Sequence, residues 1–418
     1  MSTLVAPLPR KSAEPHKGNF PIRQRTGTAS FHMSKAAVDF GLEDLERLTA
    51  RGAVELFAKL RWGSFTHMGC PHCGTHDKHY WSATQLRWKC KACDKRFSVT
   101  SGTPLADHKL PLVKILKMAY TSLTSAAGTA ALQIRRVWNV QYRTAYVLEQ
   151  KLREGFMRGF NTGVLAGTHQ MDGMDANGKR YKEKRNKPQG GGGAPRPTLP
   201  AALLKPKVDP ETGEILNAGP PKPFKHDKIS KQPPDRRLVL VLRQDGVSDG
   251  KGAVSTRVSI ALTESAATVT ATASTYASAE SRFYTDEDPA YARFSKLFAG
   301  HQAVAHSKTY STPDGVNNNQ AESFNRRARR LLEGIHLSVS NKYMLDYMCG
   351  AAWREDTRKL SSGKRLMSAF HLLLNIGQSR FWRGYTQGKY REHEMLVEGP
   401  KPASPRGKLK DAKPKLPR

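Results

Sequence analysis

Two short cysteine pairs, Cys70-Pro-His-Cys73 and Cys90-Lys-Ala-Cys93, constrain this 418-residue chain more than any other feature. Sixteen residues separate them, a spacing by which two Cys-x2-Cys turns deliver four thiolates to one zinc ion. Each pair lets both sulfurs turn toward one point, and the intervening HYWSATQLRWKC alternates as the strands of a small ribbon do. Four protein ligands leave no open position, so zinc on Cys70, Cys73, Cys90 and Cys93 is expected to be structural. His67, His72, His76 and His79 lie nearby and could replace a thiolate; the ordinary expectation is surface groups. Cys349 stands far away in an apolar stretch and reads as a buried small side chain. Four of five cysteines in tight pairs favour metal binding over a secreted disulfide framework.

Lysine and arginine number 68 against 36 aspartate and glutamate, a formal charge of +32. A chain so charged repels itself unless a polyanion neutralises it, which points to nucleic acid. The N-terminus has no run resembling a signal peptide, and nowhere do about 18 apolar residues stand together. A soluble, cytoplasmic, DNA-associated protein with no membrane partner is expected.

Composition divides the chain. Residues 1–40 form a basic arm expected to be flexible, and 396–418 a basic tail with repeated Lys-Pro pairs. Leu42, Leu45, Leu48, Val54, Leu56, Phe57 and Leu60 recur at helical spacing, so 41–102 is expected to hold short helices and the ribbon. Within a larger unit at 164–395, the stretch 183–234 (GGGG, PPKP, KQPP) is too poor in apolar residues to fold alone and is expected to be a disordered insert.

In 105–160, Leu112, Ile115, Leu116, Ala119, Tyr120 and Leu123 draw one helical stripe. A second helix is expected over 129–138 and a third over 142–157, joined by the short turn Asn139-Val140-Gln141. Three helices with a tight turn before the last are the layout of a helix-turn-helix. Gln141, Arg143 and Thr144 would then face a major groove, with Arg135, Arg136, Lys151 and Arg153 on phosphates. A plain helical bundle with a charged solvent face fits the same pattern.

Beyond residue 163 the pattern turns to strands: LVLVLRQ, then VSTRVSIALTES, then RFYTDED. Helices are expected over 290–298 and 320–332, with the strand HQAVAHS between them. This order suits a multidomain α/β chain, in which a ribonuclease-H-like sheet follows the zinc ribbon and helix-turn-helix.

The motifs CPHC with CKAC, FSVTSGTPLADHKLPL, HQMDGMDANGK, YTDEDPAYA, NNNQAESFNRRARR and AAWREDTRKLSSG resemble those of the zinc-ribbon insertion-sequence transposases of family fifteen-ninety-five (ISXO-like), related in fold to retroviral integrases. The resemblance covers about 45–374. It implies an Asp-Asp-Glu set, matched here by Asp172, Asp286 and Glu322, that holds catalytic magnesium. It also places Arg329 seven residues after Glu322, with Arg326 between them able to reach a phosphate. It implies an enzyme, often oligomeric on double-stranded DNA, that cuts element ends and transfers the freed strand to a target. Carboxylate oxygens suit magnesium, and paired magnesium ions suit phosphoryl transfer. Taken singly, Asp172 also reads as a turn former, Asp286 as a cap and Glu322 as half of an i,i+4 pair with Arg326. Asp175, Asp288 and Asn319 are the neighbours most easily confused with the three. A non-enzymatic or domesticated zinc-ribbon DNA-binding regulator is the competing reading.

Overall fold

The computed structural model describes residues 31–177, 236–246, 252–304, 316–383, 390–391 and 393–397, together with the backbone of 207–208 and 215–216. Helix α1 (Leu42–Glu46) leads into α2 (Ala50–Trp62). The Thr49 hydroxyl caps α2 by accepting from the Gly52 amide at 3.0 Å. Gly63, at φ 75°, ends the helix in the left-handed turn that glycine adopts without strain. The ribbon follows: β1 (Met68–Gly69) pairs antiparallel with β2 (His76–Asp77), and β3 (Tyr80–Ser82), β4 (Arg87–Lys89) and β5 (Arg96–Phe97) form a three-stranded antiparallel sheet. Trp88 is buried at its centre among Trp62, Phe65, Trp81 and Phe97. Three helices come next, α3 (Leu112–Thr124), α4 (Ala131–Trp138) and α5 (Tyr142–Gly159), with Asn139 in a left-handed conformation at the turn before α5.

The second unit is built on β6 (Thr168–Ala176), which lies at the middle of a five-stranded sheet. Its neighbours are β9 (Arg237–Asp245), antiparallel to it, and β11 (Arg282–Asp286), parallel to it. Outside these lie β10 (Ala253–Ala261), antiparallel to β9, and β12 (Gly300–Val304), parallel to β11. A short antiparallel pair, β7 (Lys207–Val208) with β8 (Ile215–Leu216), falls within the stretch 183–234; the rest of that stretch is outside the described residues.

The run LVLVL in β9 is apolar throughout because the sheet is covered on both faces. Leu238, Leu240 and Leu242 point one way, into a core with Met171, Phe283 and residues of α6 (Ala266–Tyr276) and α7 (Phe294–Leu297). Val239 and Val241 point the other way, toward α8 (Asn319–Arg330), α9 (Met344–Asp356) and α10 (Ser362–Asn375).

Helix α6 was not foreseen, because AATVTATASTY carries no apolar stripe; Ser265 and Thr268 start it with a reciprocal capping box. The helix expected over 290–298 divides into a 3-10 turn, Pro289–Tyr291, and the short α7. The one expected over 320–332 ends at Arg330 and continues as a π-helical turn, Leu331–His336.

One apolar core runs from the ribbon through α2, α3 and α5 to the sheet. Helix α5 is buried from Ala145 to Met157 and packs on α9 and α10, with Phe156 stacked on Trp353 at 4.4 Å. Lys151 and Arg153 therefore do not reach phosphates, as their basic character suggested. Arg153 pairs with Glu149 at 3.3 Å and covers the Tyr347 ring at 4.1 Å, while burial pulls the Lys151 pKa down to about 8. At the end of the expected arm, Asp39 accepts from the Ser361 hydroxyl (2.6 Å) and the Gly363 amide (2.8 Å), anchoring it to the start of α10. Residues 1–30 and 398–418, most of the expected arm and tail, lie outside the described residues.

His169 in β6 is fully enclosed beside the Ser281 hydroxyl, and burial pushes its pKa down to about 4. Below the usual pKa of about 6.5 the unfolded chain takes up a proton that the folded chain refuses until about 4. This contribution to stability is complete above 6.5 and is lost as pH falls. Between pH 8 and 5.5 it amounts to about 1 kcal/mol. Urea denaturation at the two pH values should show that the acid-induced loss is smaller by this amount in His169→Asn. Equal losses in both proteins would refute the assignment.

Candidate metal centre and acidic cleft

The two cysteine turns are built alike. The Gly74 amide donates to the Cys70 carbonyl (2.9 Å) and the Asp94 amide to the Cys90 carbonyl (3.2 Å). The residue after each second cysteine, Gly74 or Asp94, is left-handed, at φ 78° and 62°; aspartate tolerates that region better than most side chains. Cys70 Sγ lies 3.8 Å from Cys93 Sγ, and Cys73 Sγ lies 3.6 Å from Cys90 Sγ. Tetrahedral zinc with bonds of about 2.3 Å needs sulfurs about 3.8 Å apart, so the donor set fits zinc. All four sulfurs lie within 4.8 Å of one another, and among the described residues no other group of three or more such ligands is so close.

His67, His72 and His76 are exposed, but His79 is buried. Its Nδ1 accepts from the Lys91 amide at 3.4 Å and its Nε2 lies 3.3 Å from the Thr75 carbonyl, so the ring ties one cysteine turn to the other. Cys349 is fully buried in α9, as its apolar surroundings suggested.

The three acids singled out by sequence come from separate elements. Asp172 sits mid-strand in β6, Asp286 ends the adjoining β11, and Glu322 lies in the first turn of α8. Asp172 Oδ2 accepts from Asn325 Nδ2 at 2.7 Å and Oδ1 from the Gly173 amide at 2.9 Å. Burial, with the negative charges of Asp286 and Glu322, nonetheless lifts its pKa to about 6. The neighbours differ: Asp175 pairs with Arg236 at the surface, Asp288 caps Ala290, and the Asn319 amide donates to Asn317 Oδ1.

Helix α8 is fixed by groups that sequence reasoning passed over. Gln170 Oε1 accepts from the Gln320 amide (2.7 Å), Asn318 Nδ2 donates to the Met171 carbonyl (3.2 Å), and Arg243 Nη1 donates to the Gln320 carbonyl (3.0 Å). Arg243 is fully buried, 3.7 Å from Glu355, which in turn accepts both 2.6 Å bonds of Arg327. These ties hold the first turn of α8 to β6 and β9. Asn325, three residues after Glu322, shares its side of the helix, and that spacing was the available signal.

Glu264, just before α6, was also missed. Tyr291 donates its hydroxyl to Glu264 Oε1 at 2.6 Å. A Cβ at Gly173 would lie 2.6 and 2.7 Å from the two Glu264 oxygens. Burial first, then the charges of Asp286, Asp288 and Asp172, raise its pKa to about 7.

Of the residues expected to touch nucleic acid, Arg135 and Arg136 are exposed on α4, Gln141 and Arg143 are exposed at the start of α5 with Thr144 half-buried beside them, and Arg326 and Arg329 are exposed on α8.

The four-cysteine ribbon shares an apolar core with the sheet that carries Asp172 and Asp286, and both units match models of transposase domains. Residues 49–96 match the family model for a transposase zinc-ribbon domain, and residues 216–356 match that for an ISXO2-like transposase domain. Over these two stretches the chain is similar to the IS1595 family of transposases. The second match contains Asp286 and Glu322 and begins after Asp172. No curated protein and no solved structure matches the chain. Among the described residues no helix is long and apolar enough to cross a membrane.

Proposed function

We propose that the chain binds the ends of an insertion sequence and cuts and transfers DNA strands with Asp172, Asp286 and Glu322 as the catalytic acids. The observation that carries this reading is the 2.7 Å hydrogen bond from Asn325 Nδ2 to Asp172 Oδ2, which sets α8, the helix of Glu322, against β6, while Asp286 ends the parallel strand beside it. The sheet supports it: three antiparallel strands, then two parallel ones, with acids on the central strand, its parallel neighbour and a late helix. That is the layout of a ribonuclease-H-like fold. Neighbouring carboxylates oppose one another's ionisation, and a divalent cation relieves the opposition. Hard oxygen donors suit magnesium, which when bound would supply positive charge to offset the negative charge that develops on the phosphate.

The chain's own residues do the rest. Asn325 holds one Asp172 oxygen, and the ties to Gln170 and Arg243 fix the helix that carries Glu322. Arg326 and Arg329 present cations for backbone phosphates along α8. Helices α3 to α5 act as a helix-turn-helix, with Gln141, Arg143 and Thr144 at bases and Arg135 and Arg136 at phosphates. The working form is a homo-oligomer on double-stranded DNA in the cytoplasm.

The test uses the zinc-loaded full chain and a labelled element-end duplex. Log affinity should fall linearly with log salt, at a slope of about −0.9 for each phosphate neutralised. Cleavage should require magnesium or manganese. Salt-sensitive binding with no cleavage in either metal would overturn the enzymatic reading and favour a DNA-binding regulator.

A further inference from the structure

We propose that Tyr142, at the tip of α5, is a stacking platform for one unpaired nucleobase at the element end. The inference rests on the reading in which the first turn of α5 meets DNA, and adds that one base there lies outside the duplex stack.

Three features converge on this ring. The first is its exposure: Tyr142 leaves 46% of its surface open, between the exposed side chains of Gln141 and Arg143. Bases inside a duplex have both faces covered by their neighbours and offer only their edges to a groove. Those edges are read by hydrogen-bonding side chains such as Gln141 and Arg143. A flat aromatic face is matched instead by a base that has left the stack.

The second feature is what backs the ring. Tyr142 stacks on Tyr146, centroids 5.9 Å apart and planes 24° from parallel. Tyr146 meets the edge of the fully buried Trp382 at 5.7 Å, and Trp382 meets Tyr343 at 5.4 Å. Arg391, ion-paired with the buried Asp346, lies over the Tyr343 ring at 5.7 Å. The turn that carries Trp382 is tied to α5 itself: the Trp382 amide donates to Ser379 Oγ (2.8 Å), and the Ser379 hydroxyl donates to Glu154 (2.6 Å). Tyr142 is thus the outer member of a row of rings rooted in the core, so little freedom remains to be lost when a base settles on it.

The third is charge. No acid stands in the first turn of α5, and Arg143 follows Tyr142 directly. Helix α4, packed against α5, exposes Arg135 and Arg136 in its last turn. An aromatic face among arginines suits a base whose flanking phosphates need cations, the combination by which single strands are held.

The test compares binding of the zinc-loaded full chain, by fluorescence anisotropy, to two element-end substrates of one sequence. One is fully paired; in the other the terminal nucleotides are left unpaired. The readout is the ratio of the two affinities. The wild type should favour the open end at least about tenfold. Tyr142→Phe keeps the aromatic face and should keep the ratio, whereas Tyr142→Leu keeps apolar bulk alone and should bring it close to one. Abasic sites in the unpaired strand should abolish the preference of the wild type, a measurement that needs no variant to fold.

A wild type that binds both substrates alike overturns the proposal. So does a Tyr142→Leu protein that keeps the preference, or its loss in Tyr142→Phe, which would assign the effect to the hydroxyl. If Arg143→Gln weakens binding to both substrates while Tyr142→Leu keeps the wild-type ratio, α5 meets DNA through edge contacts and only the platform falls. If neither change affects either substrate, the placement of α5 on DNA fails, and the platform with it.

Discussion

Replacing Glu322 with glutamine should lower strand cleavage about a thousandfold or more while leaving folding and duplex binding close to those of the wild type. Glutamine keeps the volume and helix propensity of glutamate, and α8 is anchored through Gln320, Asn318 and Asn325. Asp172→Asn and Asp286→Asn should be equally damaging, and a double variant should be no worse than either single one, since each disables the same shared centre.

Asp172→Asn should also raise the thermal midpoint slightly. Burial and two neighbouring acids already oppose the charge on Asp172, and an asparagine can still accept from Asn325. The measurements are cleavage of a labelled element-end duplex in magnesium, with binding and melting followed in parallel. Near-normal cutting by Glu322→Gln would remove it from the set and make Asn319 the next residue to test.

Loss of zinc should be the largest structural perturbation. Cys73→Ser breaks a set in which each sulfur has a partner at a zinc-compatible distance, and binding of such an ion contributes on the order of 10 kcal/mol to folding. The damage should not stay local. Trp88 and Phe97 of the ribbon pack on Trp62 of α2, and α2 meets α10 through Phe57 on Phe370 at 5.0 Å. Tryptophan fluorescence should shift, hydrogen exchange should accelerate first across residues 68–97, and the thermal midpoint should fall by more than about 10 °C. Zinc analysis of the purified variant checks the cause. A zinc-free chain with unchanged fluorescence and melting would rule out a structural role for the ion.

The parts legible in the sequence were those where local chemistry has one solution. Two Cys-x2-Cys turns at that spacing have a single economical use, and the stripe from Leu112 to Leu123 can bury only one face. The apolar run of β9 marked a strand covered on both sides. What escaped depended on tertiary context. Alanine and threonine in α6 fit helix or strand equally, and only the cap at Ser265 distinguishes them.

Lys151 and Arg153 looked like surface cations because composition cannot reveal that α5 is enclosed by α9 and α10. His79 looked incidental because its two partners belong to different cysteine turns. Around the cleft, Gln170, Arg243 and Asn325 act through contacts reaching 77 to 153 positions along the chain, Glu264 fills the space of a missing methyl, and no local pattern encodes those. Gly173 was the visible clue, since a glycine inside a strand often marks a close approach.

On the proposed reading, helix α5 bears on where a cut falls. Its first turn exposes Gln141 and Arg143, while just past its other end Asn161 makes two 2.9 Å bonds with the Val258 backbone of β10. Eighteen residues of helix span about 27 Å, equivalent to about eight base-pair steps of duplex. Because α5 is packed along most of that length, it works as a ruler without a hinge. On the proposed reading, in which α5 grips DNA at its tip, the offset between the grip and the severed phosphate is set by helix length, and adding or removing a turn should move the break along the duplex instead of loosening the hold.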